Sequence, residues 1–294
     1  MTIFKGAGTA LVTPFNDRGI DFDAFEALVE YQIENQIDAL IVCGTTGEAS
    51  TMTKDELRAA VDFVVKQTAG RVPVIAGTGS NNTATAIELS KQAADLGADG
   101  LLVVTPYYNK CTDTGLIRHY HAIADSVSVP IVVYNVPVRT CVNICPNVLK
   151  EIGAHQNIVA IKEASANITQ IAEMARICPE IDIYSGNDDH VVPVLSLGGI
   201  GVISTVANVA PKMTHDMVMT YLNGDVSKSR ELQLKLNPLV KALFTEVNPI
   251  PVKAALNMIG INAGLPRLPL TEISADKAVG LKKELIALGF EVVA

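Results

Sequence analysis

A chain of 294 residues is long enough to bury a large core, either as two domains or as one parallel α/β barrel. Its content of 49% hydrophobic and 18% charged residues is typical of a globular protein and excludes a disordered one. The net charge of −8 argues against a nucleic-acid or anionic-membrane surface as a partner. We therefore expect the chain to bind neither nucleic acid nor membrane.

Eight short apolar runs alternate with amphipathic stretches up to about residue 224. Short runs rich in β-branched residues are typical of buried strands, and the stretches between them have the apolar spacing of helices. The runs are Gly8–Val12, Ala39–Cys43, Pro73–Ala76, Gly100–Val104, Pro130–Tyr134, Ile158–Lys162, Ile181–Ser185 and Gly201–Ser204.

Several of the helical stretches carry start signals. Thr53 followed by Glu56 has the spacing of a capping box, which predicts that a helix begins there. After the seventh run, Asn187 or Asp188 is predicted to cap a helix that continues through Leu197.

Eight strands, each followed by a helix, predict a (β/α)8 or TIM barrel. The alternative is a doubly wound open sheet, because apolar periodicity does not reveal whether a sheet closes. We assign residues 1–224 to a catalytic barrel and residues 225–294 to a C-terminal helical extension, since the strand pattern stops after Gly224. The helices predicted in the extension are Val226–Phe244, Pro251–Ile259 and Ser274–Leu288.

The start of the chain and its cysteines predict a cytoplasmic protein. Residues 1–15 lack a basic segment followed by an apolar core, so we expect no signal peptide. No apolar run approaches the roughly 18 residues of a membrane helix. The cysteines are odd in number and scattered along the chain, which favours reduced thiols. Cys141 and Cys145 have no second pair of cysteines that would complete a zinc site. We expect no metal.

The most unusual run, Ile158–Lys162, ends on a lysine that Glu163 follows. Because side chains alternate along a strand, we expect Ile158, Ala160 and Lys162 to share one face, with the amine directed like core residues. A lysine in water has a pKa of about 10.4, and desolvation can lower it to roughly 7–8, where the neutral amine attacks carbonyl groups. The alternative is a lysine that extends to solvent and pairs with Glu163.

Other strand ends carry hydroxyl groups and an arginine. In a TIM barrel these ends and the loops after them form the face that holds the active site. Together with the amine, this set suits covalent carbonyl chemistry better than metal-dependent or two-carboxylate hydrolysis. The structural alternatives are a threonine-rich turn and tyrosines at the barrel rim. In strand order the residues are Thr45, Thr46, Tyr107, Tyr108, Tyr134, Arg139, Gly186 and Ile203.

Motifs along the whole chain resemble the dihydrodipicolinate synthase family of pyruvate-dependent class I aldolases. In combination they are highly specific. They are G-T-A-L-V-T-P-F at 8–15, C-G-T-T-G-E at 43–48, G-T-G at 77–79, V-T-P-Y-Y-N-K at 104–110, Y-N-V-P-V-R-T at 134–140, I-K-E-A at 161–164, S-G-N-D-D at 185–189 and G-V-I-S at 201–204.

The resemblance implies an enzyme of lysine (diaminopimelate) biosynthesis that condenses pyruvate with L-aspartate 4-semialdehyde to 4-hydroxy-tetrahydrodipicolinate. By this likeness Lys162 forms a Schiff base with pyruvate, without any cofactor, and Tyr134 is the general acid and base. Thr45 and Tyr108 complete a proton relay, with Tyr108 reaching in from a neighbouring subunit and Tyr107 packed at the same interface. The resemblance also implies a homotetramer built as a dimer of dimers.

The same resemblance implies the substrate-binding residues. Thr46 binds the pyruvate carboxylate, the backbone at Ile203 and Gly186 lines the pocket, and Arg139 holds the carboxylate of the semialdehyde. Sister enzymes such as N-acetylneuraminate lyase share the lysine and the tyrosine but not the arginine, so Arg139 favours the synthase.

The resemblance further predicts weak or absent feedback inhibition by lysine. Family members that respond to lysine carry histidines where this chain has Lys54 and Leu57, and a glutamate where it has Thr85. A cation and an apolar residue at these positions repel an ammonium group or fail to hold it.

Three other interpretations stay open at this point. His119 and His121, with Asp113 or Asp125, suggest a metal-dependent aldolase, although residues two apart on a helix point in different directions. The glycines of Leu197–Gly201 suggest a phosphosugar site, but no lysine or arginine lies beside them. A catalytically inactive barrel that binds a small molecule is the third.

Overall fold

The computed structural model describes residues 2–293 and is organised around eight parallel strands. These are β1 (Gly6–Ala10), β2 (Ala39–Val42), β3 (Val74–Gly77), β4 (Gly100–Val104), β5 (Ile131–Asn135), β6 (Ile158–Glu163), β7 (Asp182–Ser185) and β8 (Gly201–Ser204). Each strand pairs with the next, and β8 pairs back to β1, where Gly201 lies opposite Gly6. This closure confirms the TIM barrel and excludes the open sheet.

The predicted boundaries of β4 and β8 agree with the structure, and the other strands differ by one or two residues. The strand β1 begins at Gly6, two residues before its predicted start, because small residues give little apolar signal. Gly6 has a φ of +118°, and a Cβ there would lie 2.1 Å from the Asp38 carboxylate. Only glycine fits this position.

Helices cover the outside of the barrel. The capping box at Thr53 and Glu56 is confirmed, since each residue's side chain accepts from the other's backbone N–H. The helices are α1 (Phe22–Glu34), α2 (Lys54–Thr68), α3 (Thr83–Asp95), α4 (Asp113–Ala124), α5 (Pro137–Thr140), α6 (Pro146–Ile152), α7 (Ile168–Ile177), α8 (Val191–Ser196), α9 (Pro211–Leu222), α10 (Val226–Leu243), α11 (Ile250–Met258) and α12 (Ala275–Ala287). Within residues 2–293 no helix has both the length and the apolar character needed to span a bilayer.

The segment after β7 differs from the prediction. Asp188–His190 forms a short 3₁₀ turn before α8 and does not cap one continuous helix. The buried Asp188 carboxylate accepts instead from the backbone N–H groups of Thr205 and Val206, each at 3.0 Å. It therefore ties the loop after β7 to the loop after β8, and these distant partners are not visible in the local sequence.

Apolar side chains form two layers, one on each side of the sheet. The outer layer lies between strands and helices, and the inner layer fills the barrel. At the amino end of the barrel the rings of Phe4 and Tyr184 stack with centroids 4.5 Å apart, and the Tyr184 hydroxyl donates to the Phe4 carbonyl at 2.7 Å. These two rings fill the bottom of the barrel.

The alternation along β6 is interrupted, so the predicted shared face is wrong for Ile158. Ile131 of β5 pairs with Ile158, but the next residue, Val132, pairs with Ala160. This shift of one residue reverses the direction of the side chain that precedes it. Ile158 therefore packs in the outer layer, whereas Ala160 belongs to the inner layer, as predicted.

The C-terminal extension contains α10, α11 and α12, and no regular strand occurs in residues 225–293. The helix α10 packs on α9, where the Ser229 hydroxyl donates to the Met217 carbonyl at 2.6 Å. It also contacts the loop after β7 through Gln233, whose Nε2 donates to the Asp188 carbonyl at 2.8 Å. The division of the chain at residue 224 stays a prediction from the sequence.

Candidate active site

Lys162 and Tyr134 lie side by side on neighbouring strands inside the barrel. They are register partners across β6 and β5, and the Lys162 Nζ lies 4.4 Å from the centre of the Tyr134 ring. Both side chains are buried, with 6% and 7% of their surfaces exposed. The amine is therefore enclosed at the carboxyl end of the barrel, beside a phenol that can exchange protons.

Glu163 does not pair with this amine. It faces the outside of the barrel, where Oε2 accepts from Asn135 Nδ2 at 2.9 Å and Oε1 accepts from the Ser165 backbone N–H at 2.6 Å. Burial raises the pKa of its carboxyl group, and these hydrogen bonds partly offset that rise. The alternative of an exposed lysine paired with Glu163 is therefore wrong.

Tyr184 borders Lys162 on the other side, as its register partner on β7. Its hydroxyl is already bonded to the Phe4 carbonyl, and burial raises its pKa above the ordinary range of a tyrosine. This phenol points away from the carboxyl end of the barrel, so Tyr134 is the tyrosine placed for proton transfer near the amine.

Thr45 and Thr46 lie in a tight turn after β2. The turn is closed by bonds from the Gly47 N–H to the Gly44 carbonyl and from the Glu48 N–H to the Thr45 carbonyl, both 3.1 Å. Thr46 is buried, and its Oγ1 accepts from the Nδ2 of a residue in the C-terminal extension, Asn248, at 2.9 Å. The hydroxyl of Thr46 is thus fixed by a partner 202 residues away.

A cavity of about 490 Å³ opens at this end of the barrel. It brings together four of the predicted residues, Thr45, Tyr107, Tyr134 and Arg139. Its far end is lined by residues of α2, α3 and the loops before them, among which are Lys54, Leu57, Ser80, Thr85 and Leu89. Lys162 does not itself line this cavity, but its amine lies 4.4 Å from the centre of the Tyr134 ring, which does.

Arg139 lies on the short helix α5 after β5. Its side chain lines the cavity and is otherwise exposed, and Nη2 donates to the Asn248 carbonyl at 3.3 Å. The helix is attached to the loop after β4 by a 3.0 Å hydrogen bond between the hydroxyls of Thr105 and Thr140. The guanidinium therefore keeps free donors for an anion in the cavity.

Tyr107 and Tyr108 differ sharply. Tyr107 lines the cavity and is 40% exposed, whereas Tyr108 is 92% exposed and has a φ of +71°. Within one chain the structure does not bring Tyr108 to the Lys162–Tyr134 pair. Its side chain is available to a neighbouring molecule, and its predicted role across a subunit interface stays a prediction.

Gly186 follows the end of β7 directly, and Ile203 lies on β8. Ile203 is 1% exposed and belongs to the inner layer. A Cβ at Gly186 would lie 2.6 Å from the Ala164 Cβ, so the loops after β6 and β7 approach this closely only with glycine. The Gly186 N–H already donates to the Glu163 carbonyl at 2.7 Å, which leaves its own carbonyl as the group to line a pocket.

The two histidines of the metal interpretation have separate partners. His119 Nδ1 lies 2.9 Å from the Thr83 hydroxyl, and burial lowers the pKa of His119 to about 4. His121 Nε2 lies 3.1 Å from the Glu151 carbonyl. Among residues 2–293 no three His, Cys, Asp or Glu side chains are grouped to hold a metal ion.

Sequence reasoning missed Asn248, which joins the predicted positions Thr46 and Arg139. The available signal was its position directly before Pro249 and Ile250, where α11 begins. A lone asparagine before a proline indicates only a turn, so its partners become evident only when the chain is folded.

Comparison with known proteins identifies the family. The model of the dihydrodipicolinate synthetase family matches residues 3–288. The chain belongs to this family. It is 59% identical over 293 residues to the 4-hydroxy-tetrahydrodipicolinate synthase of Caldicellulosiruptor bescii, with 99% of each chain covered. The resemblance predicted from the motifs is confirmed.

Solved structures of the same family share the fold. The dihydrodipicolinate synthase of Aquifex aeolicus matches with a TM-score of 0.97 at 41% identity, over 99% of this chain and 100% of that one. The enzyme of Cyanidioschyzon merolae with lysine bound matches with a TM-score of 0.95 at 40% identity, over 98% and 99% of the two chains.

Proposed function

We propose that this chain condenses pyruvate with L-aspartate 4-semialdehyde to 4-hydroxy-tetrahydrodipicolinate through a Schiff base on Lys162. The observation that carries the proposal is the buried Lys162 amine against the Tyr134 ring at the carboxyl end of a closed barrel. The family match and the relatives named 4-hydroxy-tetrahydrodipicolinate synthase support it. Arg139 on the cavity favours this reaction over that of the N-acetylneuraminate lyase group.

In the first half of the reaction the Lys162 amine adds to the ketone carbon of pyruvate, and loss of water leaves a protonated imine. The imine withdraws electrons, so a methyl proton leaves and the C–H electron pair forms the double bond of an enamine. That carbon then attacks the aldehyde carbon of the second substrate. The imine electron sink makes a metal or organic cofactor unnecessary for the carbon–carbon bond.

In the second half the α-amino group of the condensed product attacks the imine carbon, closes the ring and releases Lys162 as a free amine. Tyr134 acts as general acid and base for these proton transfers, because its phenol is the one beside the amine. A phenol is a poor base unless its proton can move on, and we assign Thr45, which also lines the cavity, as the next group of the relay. Tyr108 of a neighbouring subunit completes it.

The substrates bind through their carboxylates. We assign the pyruvate carboxylate to Thr46, whose hydroxyl is held by Asn248, and we assign the backbone at Ile203 and Gly186 to the lining of the same pocket. Arg139, which lines the cavity, binds the semialdehyde carboxylate with its planar pair of donors. The two carboxylates thereby place the reacting carbons between them.

We propose that the chain works as a homotetramer, a dimer of dimers, in the cytoplasm. The exposure of Tyr108 and Tyr107 beside the cavity supports an interface there. A reduced compartment agrees with the free thiols of all five cysteines, each of which lies in the described part of the chain.

A steady-state assay with both substrates tests the proposal. We expect product formation that requires pyruvate and L-aspartate 4-semialdehyde, and no turnover when N-acetylmannosamine replaces the semialdehyde. Lys162→Met, which keeps the length of the side chain, should be inactive, whereas the matched change at an exposed lysine, Lys150→Met, should not affect the rate. Turnover by Lys162→Met at the wild-type rate would contradict the assignment.

A further inference from the structure

We propose that Glu48 and Lys253 are positioning residues, through which the C-terminal extension holds the Thr45–Thr46 turn in its pyruvate-binding geometry. The inference rests on the proposed function, because it takes Thr46 as the group that binds the pyruvate carboxylate. It assigns to the extension a part in substrate binding that its position outside the barrel does not suggest.

The two residues form a fully buried ion pair. Lys253 Nζ lies 2.6 Å from Glu48 Oε1, and the two side chains are 1% and 0% exposed. In every other ion pair of residues 2–293 at least one side chain is 20% or more exposed. Glu48 and Lys253 therefore differ in kind from the surface pairs, which stabilise little.

Each member of the pair also makes one further hydrogen bond. Glu48 Oε2 accepts from the Arg267 backbone N–H at 2.8 Å, and Lys253 Nζ donates to the Leu265 carbonyl at 3.1 Å. Lys253 Nζ also lies 4.5 Å from the centre of the Phe15 ring. Burial lowers the pKa of Lys253, and the Glu48 charge opposes that effect.

A buried ion pair is a poor source of net stability, because removing two charges from water offsets most of their attraction. What such a pair does is fix the relative position of two segments, since a buried charge is stable only where it contacts its partner. Here the partner belongs to the C-terminal extension, whereas Glu48 belongs to the turn after β2. The pair thus fixes the turn relative to α11.

Glu48 ends the turn that carries both threonines. It has a φ of +57°, a left-handed conformation that a residue with a Cβ rarely adopts, and its N–H donates to the Thr45 carbonyl. The strain of this conformation needs a compensating contact, and the carboxylate of Glu48 makes polar contacts with Lys253 and with the Arg267 backbone N–H. Losing them frees the turn to relax.

The extension holds the turn at a second point as well. Asn248, directly before α11, donates to the Thr46 hydroxyl at 2.9 Å, and Lys253 lies within α11. One helix start therefore fixes both the hydroxyl of Thr46 and the carboxylate two residues after it. The ion pair sets the backbone of the turn, and Asn248 orients the side chain.

The experiment compares the steady-state kinetic constants of the wild type, two test variants and one control variant. Glu48→Gln/Lys253→Met removes both charges with little change in size, and Glu48→Asp keeps the charge but shortens its reach. The matched control, Glu30→Gln/Arg71→Met, removes a partly exposed pair with a 2.6 Å contact far from the turn. We expect KM for pyruvate to rise about tenfold in the first two variants and the control to equal the wild type.

A structural role alone would lower the melting temperature without this effect on KM. For both test variants we predict instead that kcat changes less than KM for pyruvate. KM for the semialdehyde should also change less than KM for pyruvate. Saturating pyruvate should restore imine trapping at Lys162. If the double variant does not fold, KM for pyruvate in Glu48→Asp tests the inference. A KM for pyruvate within about twofold of wild type in a folded Glu48→Asp or double variant would overturn the inference. No imine in the wild type would instead reject the proposed function.

Discussion

The candidate site has two halves that are built differently. Lys162 and Tyr134 project from adjacent strands and are 6% and 7% exposed, whereas Arg139 and Tyr108 belong to the loop regions after β5 and β4, where Arg139 lies on the short helix α5 and Tyr108 is 92% exposed. The positions of strand residues are set by the strand register, which hydrogen bonds to the neighbouring strands fix on both sides. Loop residues depend on a few contacts, such as the 3.3 Å bond from Arg139 to the Asn248 carbonyl.

The difference indicates a division of labour. In the proposed reaction, the covalent step uses groups that one chain fixes before any substrate arrives. Second-substrate binding and proton exchange with solvent, as proposed, use groups that a substrate or a second copy of the chain must complete. Changes in the strand half should therefore abolish chemistry, and changes in the loop half should alter binding or assembly-dependent rates.

The largest effect in this comparison is expected for Tyr134→Phe. It removes the proposed general acid and base and should lower kcat about 10²- to 10⁴-fold, while pyruvate still forms the imine. Tyr184→Phe is the matched control, because it removes the hydroxyl of a tyrosine on β7 that bonds to the Phe4 backbone. That variant should lose about 1–2 kcal/mol of unfolding free energy and keep its rate. Equal rates for the two variants would contradict the assignment.

Arg139→Ala should raise KM for the semialdehyde roughly 10- to 100-fold, since it removes a charge-assisted contact to a carboxylate. KM for pyruvate should change little, and Arg139→Lys should recover only part of the loss because lysine lacks the planar pair of donors. Initial rates at varied concentrations of each substrate separate the two constants. A larger rise in KM for pyruvate than in KM for the semialdehyde would show that Arg139 does not bind the semialdehyde as assigned.

Tyr108→Phe should lower kcat roughly 10- to 100-fold, because water replaces part of the proton relay. Co-expression with Lys162→Met tests whether Tyr108 acts across an interface. In a mixed dimer one site would combine the intact Lys162 of one chain with the intact Tyr108 of the other, so activity should exceed that of either variant alone. No gain in purified mixed dimers would show that Tyr108 does not serve a neighbouring site.

The smallest effect concerns L-lysine, which at millimolar concentration should change the rate little or not at all. Lys54, Leu57 and Thr85 line the far end of the cavity, and the Lys54 ammonium there disfavours a second ammonium. Lys54 is paired with Glu88 at 2.6 Å, so Glu88→Gln should leave the insensitivity intact. Rates measured with and without L-lysine check this, and strong inhibition would refute it.

The sequence predicted the strand half of the site well. A strand's alternation and a motif at its end are local properties, so Lys162 and Tyr134 could be placed on one face of a barrel before the fold was known. Even there the face of Ile158 was wrong, because a one-residue shift against β5 leaves no mark in apolar periodicity.

Contacts between distant segments could not be predicted in the same way. Asn248 meets Thr46 across 202 residues, and Arg267 meets Glu48 across 219. No local sequence pattern at Asn248 or Arg267 predicts these partners. The predicted cap at Asp188 failed for the same reason, since its carboxylate bonds to the loop after β8. The C-terminal extension was recognised as helical, but its contacts with the turn after β2 depend on the folded barrel.

Borohydride trapping tests the central claim most directly. The wild-type protein is incubated with pyruvate, reduced and digested, and the modified peptide is located by mass spectrometry. The account predicts one pyruvate-derived adduct on Lys162 in the wild type and in Tyr134→Phe, and none in Lys162→Met. An unmodified protein, or an adduct on any other lysine, would contradict it.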